Sequence, residues 1–116
     1  GVLTGKYNDG QGPEGARFTN YLNAGERQKV MAQRFVNDKS IASTKAFMDI
    51  AREEGVSVVT LATAWSKQAD FVASTIVGAT HPKQMDDIIK AAHLTISTDA
   101  NKKIDEISLE HRYPMG

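Results

Sequence analysis

The chain has 116 residues, 41% hydrophobic and 24% charged, and its 14 Lys and Arg are matched by 14 Asp and Glu. That balance suits a folded domain and excludes a disordered segment, and the zero net charge leaves no basic excess to draw nucleic acid or an anionic membrane. Cysteine is absent, which excludes disulfides, thiolate catalysis and Cys-ligated zinc, and fits a cytoplasmic compartment. The apolar stretches fall well short of the ~20 residues that a membrane-spanning helix needs. The opening Gly1-Val2-Leu3-Thr4-Gly5-Lys6 has neither an initiator Met nor the layout of a signal peptide, so further sequence upstream is expected.

Residues 5–25 are punctuated by Gly5, Gly10, Gly12, Pro13, Gly15 and Gly25 and read as one long surface loop. From Glu26 the spacing becomes helical, with Val30, Met31 and Phe35 on one stripe. Asn37 or Asp38 caps a second helix whose face carries Phe47, Ile50 and Ala51, and Gly55 ends it. Residues 56–61 have the β-branched content of a strand. However, Ser57 is a good N-cap, and Val58, Leu61, Ala62 and Trp65 form a helical stripe, so the reading here is a helix to about Gln68. Phe71 to Val77 is the best strand in the chain, apolar on both sides as in a parallel sheet. Pro82 then opens a helix with Met85, Ile88, Ile89 and Ala92 on its stripe, and a last helix carries Ala100, Ile104 and Ile107 inward. One strand cannot make a sheet. The pattern therefore predicts an α/β unit whose partner strands come from elsewhere.

The junction of Val77 with Gly78-Ala79-Thr80 and the following helix is the most informative place for chemistry. A turn of this kind aims the unpaired N–H groups of the helix, and its dipole, at an anion such as phosphate. Gly78 allows close approach, Thr80 brings a hydroxyl and Lys83 a positive charge, although the same turn in isolation is more often a plain helix cap. Lys6 follows a glycine without the spacing of a phosphate-binding P-loop, and Arg17 is by itself an ordinary loop charge. His81, His93 and His111 lie 12 and 18 residues apart, which gives no i, i+4 metal pair. Asp86 and Asp87 fall in the first turns of a helix, where the dipole favours negative charge. No metal site and no Ser-His-Asp set is predicted.

Gly1-Val2-Leu3-Thr4-Gly5-Lys6-Tyr7 resembles the aldo/keto reductase motif G-[LI]-[LV]-[TS]-G-K-Y after the seventh barrel strand. Ile76 to Gln84 is similar to the same family's eighth-strand turn, I-x-G-[AST]-[ST] with a Gln four residues on, and Val58 to Trp65 resembles the helix before that strand. The resemblance extends over essentially all of residues 1–116. It implies the C-terminal part of a single (β/α)₈ barrel domain, namely the last βα units and the C-terminal helix, mostly helical within this segment. A whole barrel needs ~250 residues, so the remainder of its own barrel is the first partner expected.

The resemblance further implies NADPH/NADP as cofactor and hydride transfer to a small-molecule carbonyl substrate, an aldehyde or ketone. By position, Thr4 and Lys6 would lie near the phosphates and Arg17 near the adenosine end. Gly78, Ala79, Thr80 and Lys83 would face the 2′-phosphoadenosine end, with Gln84 and Asp87 contacting the nucleotide. Ile88 stands where the family usually has Asn. The family's catalytic Asp, Tyr, Lys and His precede Gly1, so none is assigned here, and the chain alone is expected to be inactive. Two other readings stand beside this one. The first is a nucleotide-sensing regulatory subunit of the same fold, since the motifs resemble the bacterial and potassium-channel β-subunit-like branch. The second is a small helical interaction domain.

Overall fold

A computed structural model describes residues 1–115, and its elements are helices. After a 3-10 turn at Val2–Thr4 come α1 (Arg17–Leu22), α2 (Glu26–Gln33), α3 (Asp38–Glu53), α4 (Val58–Lys67), α5 (Lys83–Ala91) and α6 (Thr98–Glu110). α4 packs on α3 and on α5, and α6 returns to α3. α1 and α2 pack on each other.

Local chemistry sets these boundaries. Asn37 caps α3 by accepting from Ser40 N, while Ser40 Oγ accepts from Asn37 N, so two otherwise orphaned donors are satisfied reciprocally. At the other end Gly55 adopts φ +70°, and Val56 N–H donates to Ala51 O while Gly55 N–H donates to Arg52 O. This paired closure needs a left-handed residue at Gly55, and it folds Val56 back onto the core. Ser57 caps α4 through Thr60 N and Ser97 caps α6 through Ala100 N.

The core joins Ile50 and Ala51 of α3, Val58, Leu61 and Ala64 of α4, Ala91 of α5, and Ala100 and Ile104 of α6, with Ile96 from the connecting segment. Small residues at Ala51, Ala64, Ala91 and Ala100 let the helices approach closely. Polar links tie α3 to α6 at the edge of this core. Ser97 Oγ donates to Glu54 Oε1 at 2.7 Å, and Lys103 Nζ bridges Glu53 at 2.6 Å and Asp99 at 3.0 Å.

Four sequence expectations are corrected. The loop of residues 5–25 contains α1, whose Phe18 packs 5.5 Å from Tyr7 and stacks on Phe35 at 5.1 Å. An aromatic cluster thus organises a stretch that its glycines had marked as irregular. Gly12 takes part in this directly, because it has φ +80° and a Cβ there would collide with the buried Tyr7 ring.

Second, the stripe expected on α2 is not its buried face. Val30 and Met31 are exposed, and Ala32 is the residue buried in the helix.

Third, the strand expected at Phe71–Val77 is not formed, and among the described residues there is no strand at all. A strand needs a neighbour to complete its backbone hydrogen bonds. Here residues 73–79 carry no regular structure and make no backbone hydrogen bond to a neighbour, and Phe71 and Ile76 are 85% and 98% exposed. Fourth, Ile89 and Ala92, read on the apolar stripe of α5, are exposed as well.

Candidate functional site

The candidate residues fall into two groups. In the opening group, the Thr4 hydroxyl donates to Gly1 O at 2.7 Å and accepts from Lys6 N at 3.3 Å, shaping the turn that presents Lys6. Lys6 Nζ lies 5.2 Å from the Tyr7 ring centroid, within cation–π range. Arg17 opens α1 eleven residues later.

The second group surrounds the start of α5. Gly78, Ala79 and Thr80 are exposed on the segment before α5, and a Cβ at Gly78 would meet nothing within 4 Å. The local fold thus gives no steric reason for glycine at that position. Gln84 folds back over the turn. Its Oε1 accepts from Thr80 N at 2.8 Å and, at 3.4 Å, from both Thr80 Oγ1 and His81 N. Lys83 N–H donates to His81 Nδ1 at 3.2 Å. Two backbone donors ahead of the helix and the Thr80 hydroxyl therefore converge on one amide oxygen, whereas the first N–H groups of α5, expected to be unpaired, are bonded to His81 and Pro82. Lys83 and Arg17 form no ion pair among the described residues.

Asp87 is half-buried one turn further on. Its carboxylate lies 3.4 Å from Lys90 Nζ, and its carbonyl accepts from the buried Thr60 hydroxyl at 2.9 Å. That last bond fixes α5 against α4. Ile88 lines a shallow hollow of about 340 Å³ with Thr63, Val72, Thr75 and Val77.

The Val2–Thr4 turn packs on α3 and α4, and α5 packs on α4. α4 is the shared platform. A second hollow, of about 330 Å³ and strongly apolar, opens between α3, α4 and α6 beside Phe47, Trp65 and Ile107. None of the nine candidate residues lines either hollow. Neither the Gln84 cap nor the apolar hollow was anticipated from sequence. The Gln four residues after Thr80 was the available signal for the cap.

The decisive comparison is a match to the aldo/keto reductase family over residues 1–109. The chain belongs to that family. Protein tas of Escherichia coli strain K12 is 33% identical over 114 residues, which make up 98% of this chain and 31% of that protein. A putative voltage-gated potassium channel subunit beta of Schizosaccharomyces pombe is 34% identical over 111 residues, covering 92% of this chain and 30% of its own length. L-glyceraldehyde 3-phosphate reductase of Escherichia coli strain K12 is 27% identical over 107 residues, or 91% of this chain and 30% of that enzyme. The chain spans about a third of the length of these curated relatives. Among the described residues no group of His, Cys, Asp and Glu is arranged to hold a metal ion. Among the same residues no helix is long and apolar enough to cross a membrane.

Proposed function

We propose that this chain is the C-terminal, cofactor-binding portion of a cytoplasmic (β/α)₈ oxidoreductase that reduces aldehydes or ketones with NADPH. The observation that carries the reading is the convergence of Thr80 N–H, Thr80 Oγ1 and His81 N–H on one acceptor at the start of α5, in a family member. These are the donors a phosphate oxygen would use, with Lys83 beside them for charge. Gly78 leaves the backbone open to close approach, which its own conformation does not otherwise require. Lys6 and Arg17 supply two further cations for the phosphates and the adenosine end.

NADPH, when bound, supplies the hydride. The residues of this chain hold and orient the nucleotide, and the acid that protonates the carbonyl oxygen belongs to the preceding part of the barrel. Ile88 lacks the polar atoms to read adenine and offers it only apolar contact. Residues 71–77 are the eighth strand in this reading and pair once the other strands are present, which accounts for the exposure of Ile76.

The test is cofactor discrimination in the enzyme that carries these residues. Thr80→Ala and Lys83→Ala are expected to weaken NADPH more than NADH, because both side chains face the 2′-phosphate. Equal losses for the two cofactors would refute the placement. The chain of 116 residues on its own is expected to turn over no aldehyde.

The potassium-channel β-subunit relatives favour a second reading, a nucleotide-sensing regulatory subunit of the same fold. Retained NADPH binding with no turnover of a panel of aldehydes by the whole protein would select it.

A further inference from the structure

We draw no further inference here: the strongest candidate, the apolar hollow between α3, α4 and α6 beside Phe47, Trp65 and Ile107, is an open face, and nothing in the structure shows what covers it.

Discussion

Thr60→Val tests how the candidate turn is held in place. Thr60 is 1% exposed, and its hydroxyl proton goes to Asp87 O at 2.9 Å. A hydroxyl has a single proton, so in the 3.0 Å contact with Ser57 Oγ it is Ser57 that donates. Valine keeps the shape and removes both bonds. A buried polar group left without its partner costs about 1–3 kcal/mol. Asp87 lies inside α5, where its carbonyl also serves the helix ladder, and this moves the expected loss toward about 1–2 kcal/mol. Urea unfolding measures the loss. Native-state amide exchange should place it in α5, with faster exchange there than in α3 or α6. If Lys83, Gln84 and Asp87 hold NADPH as proposed, its affinity should fall with it, since all three lie on α5. A stability change below ~0.3 kcal/mol with unchanged exchange in α5 would show that this bond does not position the turn.

Other expectations follow from single residues. Ile76→Ser should cost almost nothing where Ile76 remains exposed, but about 2–4 kcal/mol in an assembled barrel, where a buried branched side chain is lost. Denaturant midpoints of the whole protein separate these outcomes. Lys103 is held above its ordinary value, first by Glu53 and then by Asp99. Its contribution is complete below pH ~10.5 and fades as pH rises through the raised value. Lys103→Met should therefore flatten the alkaline decline in stability, and the gap from the parent should narrow in 1 M salt. Asp9 is held below the usual carboxylate value by Gly12 N–H and then by Gln11 N–H. Its contribution is present above pH ~3.9 and is lost as pH falls through the lowered value. The Gly12 amide resonance should follow that acid step, and Asp9→Asn should abolish it.

The helices were readable in the sequence where a cap and a stripe coincided. Ser57 followed by Val58 and Leu61 fixed α4 despite its β-branched residues, and Asn37 and Gly55 bracketed α3. Legibility ended where the outcome depended on contacts distant in sequence. α1 is held by Phe18 against Tyr7 and Phe35, which no local pattern announces. Phe71–Val77 carries strand propensity, but propensity cannot supply the neighbouring strand that completes the ladder. On α2 the apolar stripe was visible, yet the tight packing of Ala32 decides which side is inward. The turn before α5 was legible only in the start of the helix after Pro82. The occupation of its donors by Gln84 depends on a rotamer and was not.

The edge where Lys103 and Ser97 meet Glu53 and Glu54 bears on how the chain reaches its fold. These bonds join residues 50 and 43 positions apart, whereas α1–α2, α3–α4 and α4–α5 are sequence neighbours. Closing a loop of that length costs entropy before any contact repays it. The neighbouring pairs are thus the early events, and the docking of α6 is the late one that locks them together. Weakening this edge should leave the folding rate almost unchanged and quicken unfolding, because late contacts are the first to open.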